Sequence, residues 1–459
     1  MIRLFHSYFP VQTVALGISE AVFISLAFIA ATFVRFGSNT DLVLGYEHGL
    51  EKILIVACVF LICMYYLDLY DHQIVNTRFQ VLPRLMQVVG VGSVVLAVLY
   101  YLFPPARLGP FVVIGGSVLA VSALTCWRKF FPLLASYFRV AEPLVFLGAS
   151  PLAVMLSHEV NKRRELGFEV LGYVSQEPIC ADGLRHLGSP EQLPELVSRE
   201  RVSRVVIATE DRRGKLPLEQ LLALKPEGIV VQDGPELYEM ITGKVCLETL
   251  RPSSLLFSGF HVSRWLLLYK RLASIVFASL GLLLTSPLMS LIAIAVRLDS
   301  PGPVIFRQHR LGKDSRLFPL FKFRTMRDRP LGQDHCLPAQ QSDNRFTRVG
   351  RWLRRTRLDE LPQLYNILRG DMYFVGPRPF MARQEADLVK QLPFYRYRWL
   401  VKPGATGWAQ VNRGYCLTRT DNADKLAYDL YYIRNMSLGL DLLIAFRTLK
   451  ILLLGRGGQ

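Results

Sequence analysis

Apolar residues are distributed along this chain in two different ways. In the first third they form four long runs, residues 11–34, 53–67, 86–103 and 110–127. Most approach the ~20 residues needed to cross hydrocarbon, and the second does so if it extends to Tyr70. Four membrane-spanning helices are therefore predicted within residues 1–140. Beyond about residue 142 the apolar stretches shorten and alternate with amphipathic ones. Strands are predicted at 143–147, 169–174, 204–208 and 228–231, and helices at 152–164, 190–200 and 216–224. Strand alternating with helix implies a small parallel α/β sheet over residues 141–255.

A fifth run, residues 272–296, is about 25 residues long and could also span. Lys270 and Arg271 precede it, and Arg297, Arg307, Arg310 and Lys313 follow. The preference of basic residues for the cytoplasm pulls on both of its ends. Ser286-Pro287 lies slightly past the middle. Proline removes a helical hydrogen bond, and a neighbouring serine can satisfy the freed carbonyl, so the helix can turn back here. An ordinary proline-kinked spanning helix is the alternative. The basic, polar sequence after Arg297 favours the re-entrant form. The same rule applied to Arg3, Arg78, Arg84, Arg128, Lys129 and Arg139 places both ends of the four-span bundle on the cytoplasmic side. Residues 11–34 lack a convincing signal-peptide cleavage site and hold Glu20 internally, so they read as a span.

Composition sharpens this picture. The 459 residues include 54 Lys and Arg against 37 Asp and Glu, a formal charge of +17, yet 51% are hydrophobic. A chain both basic and apolar points to anionic lipid or phosphorylated substrates and away from nucleic acid. The seven cysteines show no metal-ligand spacing, and neither a disulfide nor a zinc site is expected. The first strand of the α/β stretch ends in Gly148-Ala149-Ser150, one glycine where a dinucleotide fingerprint needs three. A Rossmann-like module that binds no cofactor is the expectation.

The candidate chemistry is concentrated in residues 348–379, RVGRWLRRTRLDELPQLYNILRGDMYFVGPRP. The acidic pair Asp359-Glu360 follows a run of arginines at a predicted helix start. Leu358, Leu361, Leu364, Tyr365 and Leu368 recur at helical spacing and are predicted to bury one face. Asp359, Gln363 and Asn366 would then share the opposite, open face. Free N–H groups at a helix start favour an anion. A carboxylate beside bound phosphate makes sense if arginines and a divalent cation neutralise the phosphate and the carboxylate is a nucleophile. A capping box from Thr356 to Asp359 is an equally good account of the acids.

Four blocks, in order, resemble the bacterial sugar transferase family, the monotopic phosphoglycosyl transferases. They are KRLASIVFASLGLLLTSPLM, GPVIFRQHRLGKDSRLFPLFKFRTM, the 348–379 stretch and VKPGATGWAQVNRG. The resemblance covers about residues 270–452, and the bundle and α/β module before it resemble the large-form members that initiate exopolysaccharide or O-antigen units. It implies transfer of a sugar 1-phosphate from a UDP-sugar to polyprenyl (undecaprenyl) phosphate with release of UMP. It also implies a re-entrant helix broken at Ser286 and Pro287, a covalent phosphosugar on Asp359 and a supporting role for Glu360. The expected fold class is an α-helical membrane bundle, a Rossmann-like α/β module, and an α/β monotopic catalytic domain over residues 256–459. Mg2+ is the expected cofactor, with Asp359 and Glu360 as its ligands. The expected partners are a UDP-sugar donor, polyprenyl phosphate, the bilayer of the bacterial inner membrane with catalysis on its cytoplasmic face, and a second copy in a homodimer.

Arg354 and Arg357 beside the dyad, and Arg378 in a stiff Gly-Pro-Arg-Pro loop, are predicted to grip phosphate oxygens, because guanidinium forks match them. Lys322 and Arg324 in KFRTM are candidates for nucleotide phosphate, with a solvated strand edge as the alternative. Lys402 lies in a loop whose glycines allow a ligand to approach closely. Arg348, Arg351 and Arg355 are predicted to rest on anionic lipid. Asp424 and Asp429 read as surface helix positions, residues 394–400 (FYRYRWL) as interfacial, and residues 328–344 as a loop over the donor. Two other functions fit parts of the pattern. One is a catalytically idle membrane scaffold sensing through the α/β module; the other is a phosphohydrolase using the same aspartate with water. The intact dyad and its arginines weigh against the first, the membrane anchor against the second.

Overall fold

The computed structural model describes residues 2–4, 7–46, 48–70, 81–137, 141–163, 166–178, 183–209, 216–257, 260, 262–327, 346–412 and 419–454. The loop expected at 328–344, Cys180, Cys336, Cys416 and the tail 455–459 lie outside these ranges. The chain divides into two compact units. One comprises Met1–Ile2, Phe9–Leu144 and Val160–Val170, the other Arg3–Tyr8, Val145–Glu159 and Leu171–Gln459.

The first unit contains α1 (Val11–Phe36), α2 (Gly49–Tyr66), α3 (Val81–Leu102) and α4 (Pro110–Tyr137). Each carries a segment long and apolar enough to cross a membrane, as predicted. Ile24, Phe28, Val56, Phe60, Val88 and Leu124 form the centre of its core. Two glycines make close packing possible: a Cβ on Gly92 would stand 2.8 Å from the Phe60 ring, and one on Gly116 2.7 Å from Phe28. The interior also holds a charge pair that local sequence misassigned. Arg128, predicted as a basic flank, is buried, and its Nε donates to Glu20 Oε1 at 2.6 Å while Nη1 donates to the Leu69 carbonyl at 2.9 Å. A carboxylate in the middle of an apolar helix is costly alone, and Arg128 is the partner that makes it tolerable.

The α/β sheet has five strands: β1 (Glu142–Leu147), β2 (Phe168–Val174), β3 (His186–Gly188), β4 (Arg204–Ile207) and β5 (Val230–Asp233). Their order is β3-β2-β1-β4-β5, with β2–β3 and β4–β5 paired in parallel. This is a doubly wound, Rossmann-like order. The connecting helices are α5 (Pro151–Lys162), α6 (Leu193–Glu200), α7 (Leu218–Ala223) and α8 (Gly234–Thr242). Val145, Leu147 and Val205 meet Leu193, Leu196 and Val197 in a core cluster. Two elements escaped the sequence pattern. β3 is three residues long, and α8 opens on Gly234-Pro235, which reads as a breaker although proline suits a helix's first turn.

The remainder of the second unit begins with α9 (Arg264–Asp299), a single helix that runs through Ser286 and Pro287 without the break expected there. Next come an antiparallel hairpin, β6 (Ile305–Leu311) with β7 (Leu317–Phe323), then α10 (Arg348–Thr356) and α11 (Gln363–Arg369). They are followed by β8 (Tyr373–Val375), α12 (Ala382–Gln391), β9 (Gly404–Thr406) parallel to β8, α13 (Trp408–Asn412), α14 (Arg419–Arg434) and α15 (Leu438–Leu453). Both halves of α9 rest on these elements. Toward its start, Lys270 is buried and donates to Tyr432 Oη at 2.6 Å and to Asp441, and Ala278 packs with Phe318, Leu320, Ile367 and Met372. Toward its end, Ile292 and Val296 pack with Phe323 and Leu353. Between them Leu283, Leu284 and Leu291 are 72%, 70% and 65% exposed.

The end of α8 lies against α13 and α14. Trp408 Nε1 donates to the Gly243 carbonyl at 2.7 Å, Arg434 meets Glu239 at 2.6 Å, and Lys244 meets Asp424 at 2.9 Å. Asp424, expected as a free surface position, is thus an ion-pair partner of the α/β module.

Candidate active site

The acidic pair is placed by a sharp reversal. α10 starts at Thr347, whose hydroxyl accepts from Gly350 N at 2.9 Å, while Asp299 at the end of α9 accepts from Val349 N at 2.8 Å. Gly350 is required there, since a Cβ would lie 2.1 Å from the Thr325 carbonyl. The helix ends at Arg357 with φ +59°, a left-handed conformation unusual for a side-chain-bearing residue, which throws the chain into the short turn Leu358–Glu360. Thr356 does not form the capping box considered above. Its hydroxyl donates back to Trp352 and Leu353 carbonyls.

The turn sits against β7. Lys322 Nζ is 2.7 Å from Glu360 Oε1, Arg378 Nη2 is 3.1 Å from the same oxygen, and Arg357 Nη1 is 3.7 Å from it. Burial opposes the charge on Glu360, but these three cations outweigh it and hold the carboxyl well below the usual range. Asp359 next to it has the opposite balance. It is 7% exposed, its Oδ1 is buried without a hydrogen-bond partner, and burial pushes its carboxyl up, helped by the Glu360 charge and opposed by Lys322, Arg354 and Arg357. Two adjacent acids are therefore differentiated: Glu360 organises the cations, and Asp359 keeps one buried oxygen without a hydrogen-bond partner.

The following helix departs from the expected pattern on its polar side: Leu361, Leu364 and Leu368 do pack against core clusters, but the face expected to be open is buried as well. Asn366 is fully buried and Gln363 nearly so, while Tyr365 is 52% exposed. Asn366 Oδ1 accepts from Phe321 N at 3.0 Å and its Nδ2 donates to the Pro319 carbonyl at 2.7 Å, so the polar face of α11 completes the open edge of β7. Arg271 from α9 closes the other end of α11, donating to the Ile367 and Leu368 carbonyls at 2.8 Å each. Lys402, a candidate ligand contact, joins it there by donating to the Gly370 carbonyl at 2.6 Å.

Of the predicted phosphate ligands, Lys322, Arg354, Arg357 and Arg378 gather around the dyad. Arg354 also lies 4.6 Å over the Phe346 ring. Arg324 does not join them. It is buried and donates to the Ser300 carbonyl and, at 3.0 Å, to Ser300 Oγ, tying β7 to the end of α9. Ser286 and Pro287 lie far along α9 in its exposed middle, where Ser286 Oγ donates to the Leu283 carbonyl at 2.9 Å. Arg348, Arg351 and Arg355 are exposed, as is Trp352. Asp429, read as a surface position, is buried, and so are Tyr395 and Arg398 of the FYRYRWL segment, which meet it in one cluster, while Arg396 and Leu400 of that segment stay exposed. No local pattern links Tyr395, Arg398 and Trp399 to Glu385 and Asp429, which lie on two separate helices of the structure.

Among the described residues no three His, Cys, Asp or Glu side chains converge as a metal cluster. Glu360 already faces cations, leaving Asp359 as the available protein oxygen. One carboxylate oxygen is compatible with magnesium, which binds through one or two carboxylates with other oxygens and water completing its shell, but the pair Asp359 and Glu360 does not form a two-carboxylate site, because Glu360 is engaged by Lys322 and Arg378.

Residues 265–455 match the bacterial sugar transferase family, and residues 66–214 match a family described as a CoA-binding domain. The chain is 41% identical over 224 residues to the UDP-N-acetylgalactosamine-undecaprenyl-phosphate N-acetylgalactosaminephosphotransferase of Aeromonas hydrophila, covering 49% of this chain and 52% of that protein. It is 34% identical to the undecaprenyl-phosphate glucose phosphotransferase of Komagataeibacter xylinus, covering 68% of this chain and 59% of that one. It is 35% identical to the UDP-glucose:undecaprenyl-phosphate glucose-1-phosphate transferase of Xanthomonas campestris pv. campestris, covering 73% of this chain and 71% of that one. The match thus spans little more than half of the first two relatives. The dyad, its four cations and α9 from Trp265 onward all fall inside the matched segment, and with the Xanthomonas relative aligned over most of its length, the chain belongs to the bacterial sugar transferase family.

Proposed function

We propose that this protein transfers a sugar 1-phosphate from a UDP-sugar to undecaprenyl phosphate, releasing UMP, as the first membrane step of exopolysaccharide or O-antigen assembly. The observation that carries this reading is the buried Asp359 carboxylate, with one oxygen unpartnered, set among Lys322, Arg354, Arg357 and Arg378. The names of the relatives supply the donor and acceptor classes.

In this mechanism an Asp359 oxygen attacks the sugar-bearing phosphorus, the bond to the UMP oxygen breaks, and UMP leaves with the electron pair. An oxygen of the lipid phosphate then attacks the same phosphorus, and the Asp359–phosphorus bond breaks to regenerate the carboxylate. The raised carboxyl of Asp359 helps the first step, because burial weakens its solvation and makes it a more basic attacking group; in the second step, where the carboxylate leaves, the surrounding cations stabilise it as it departs. Lys322, Arg357 and Arg378, held in place by Glu360, neutralise charge on the transferring group. Magnesium, when bound with the donor, would neutralise charge on the diphosphate oxygens.

The anchor is proposed to be re-entrant. Lys270 and Val296, near opposite ends of α9, both pack into one folded unit, and the exposed leucines lie between them. A straight span would carry one of those ends to the far side of the bilayer and away from its partners. We place the catalytic domain on the cytoplasmic face of the inner membrane, where nucleotide sugars are available. The test is incubation of purified protein with a panel of UDP-sugars, with and without undecaprenyl phosphate. Lipid-dependent UMP release supports transfer; lipid-independent turnover indicates a phosphohydrolase, and no release with any sugar indicates a scaffold.

A further inference from the structure

Arg398 is as deeply enclosed as Lys270 and Arg324, and no role in the reaction so far uses it. It is 4% exposed and sits in the turn Tyr395–Leu400. Its Nε donates to Asp429 Oδ2 at 2.8 Å, Nη1 to Tyr395 Oη at 2.6 Å and to Glu385 Oε1 at 3.4 Å, and its guanidinium lies 4.8 Å over the Phe380 ring. Trp399 Nε1 holds the second Glu385 oxygen at 2.7 Å. The remaining arm of the fork, Nη2, donates at 2.9 Å to the backbone carbonyl of Arg378.

That last bond connects the cluster to the dyad. The loop carrying Arg378 is fixed at consecutive carbonyls: Pro377 O accepts from Gly404 N at 3.0 Å, and Arg378 O accepts from Arg398. Pro377 and Pro379 fix φ on either side. Gly376 allows the β8–β9 backbones to meet, since a Cβ there would stand 2.8 Å from the Lys402 carbonyl. With its main chain held, the Arg378 guanidinium reaches Glu360 Oε1 at 3.1 Å. A fork is needed to do this, because one planar group must satisfy Asp429 and Tyr395 on one side and a carbonyl on the other.

We propose that Arg398 is a positioning residue for the transfer reaction, acting solely through the main chain of Arg378 to aim that guanidinium at the dyad. This rests on the function proposed above. Asp429, Glu385 and Tyr395 are part of the same device, holding the guanidinium from α14, α12 and the turn itself.

The test is a double-mutant cycle on lipid-dependent UMP release, with wild type, Arg378→Ala, Arg398→Lys and the double variant. Lysine keeps the charge that balances the buried acids but lacks the fork. Arg378→Ala is expected to lower kcat/KM ~100-fold, as loss of one charge-stabilising donor does, and Arg398→Lys ~10-fold. If Arg398 works through Arg378, the double variant matches Arg378→Ala within about threefold. A merely structural role for Arg398 would lower the active fraction in both backgrounds and give a product near ~1000-fold, which overturns the proposal. Tyr395→Phe, which removes one acceptor and keeps the ring, is the milder probe should the lysine variant not fold. A loss in the wild-type background that disappears in Arg378→Ala supports the proposal, and a loss retained there overturns it. Wild-type protein that shows no lipid-dependent release refutes the parent function and this inference with it, whereas wild-type release with a multiplicative cycle refutes this inference alone.

Discussion

Neutralising the two neighbouring acids is expected to move stability in opposite directions. Asp359 pays for its position, because burial raises its carboxyl and Oδ1 makes no hydrogen bond. A group whose folded pKa lies above its unfolded one contributes stability at pH below the unfolded value and loses it as pH rises through the folded value. At pH 7 the ionised Asp359 is therefore a net cost. Asp359→Asn, nearly isosteric, removes that cost and breaks no bond made by Oδ1, so a gain of ~0.5–2 kcal/mol is expected, the usual size of a single stabilising substitution. Glu360 has the reverse sign: its depressed carboxyl gives stability that is present above the ordinary glutamate range and lost as pH falls through the folded value. Glu360→Gln leaves Lys322, Arg378 and Arg357 facing an uncharged group at 2.7, 3.1 and 3.7 Å. Removing one partner of a fully buried pair costs ~3–5 kcal/mol, and since Glu360 is 18% exposed water screens part of this, so a loss of ~1–3 kcal/mol is expected. The assay is thermal unfolding of both variants and wild type in lipid nanodiscs at pH 7, with intact-mass analysis after adding donor. The expected result is a higher midpoint and no phosphosugar adduct for Asp359→Asn, and a lower midpoint for Glu360→Gln. Equal destabilisation by both would refute the division of labour within the dyad, and substantial turnover by Asp359→Asn would remove it as nucleophile.

The pH dependence of kcat/KM should rise through an apparent pKa above 3.8, the ordinary aspartate value, because Asp359 attacks only when ionised and burial holds its carboxyl up. Glu360→Gln should shift this limb to lower pH by deleting the neighbouring negative charge and leaving the cations; an upward shift refutes Asp359 as the titrating group. Single cysteines introduced at Ser263 and Asp387 should both react with a membrane-impermeant reagent from the cytoplasmic side, while Pro287→Ala should send a fraction to the opposite side and reduce activity in proportion. Reaction of Ser263Cys and Asp387Cys from opposite faces in the wild-type background would mean that α9 spans. In the bundle, Arg128→Met alone should destabilise by ~3–5 kcal/mol, whereas Glu20→Gln with Arg128→Met should recover most of it, read as thermal midpoint; an equal loss in the double variant would show that the pair is not the reason for burial.

Sequence alone determined what depends on neighbours a few residues apart. Hydropathy over a span-length window located α1 to α4 and the apolar part of α9, and alternation of short apolar and amphipathic runs gave the α/β order, because both follow from local periodicity and the cost of exposing apolar surface. The dyad and most of its cations were legible for the same reason: they lie in one short, charge-dense stretch. Tertiary structure decided which charges are buried. Leucine spacing in residues 358–368 pointed the polar face of α11 outward, yet Asn366 turns inward because the edge of β7 supplies a donor and an acceptor at the right separation. Arg324, Lys402 and Arg398 read as ligand-seeking or interfacial cations, but each finds fixed acceptors at Ser300, Gly370, or Asp429 and Arg378. Glu20 and Arg128, 108 residues apart, could not be paired from either side's local sequence. A charged side chain can leave water only when a partner is held beside it, and that partner is chosen by the fold, not by the residues next to it in the chain.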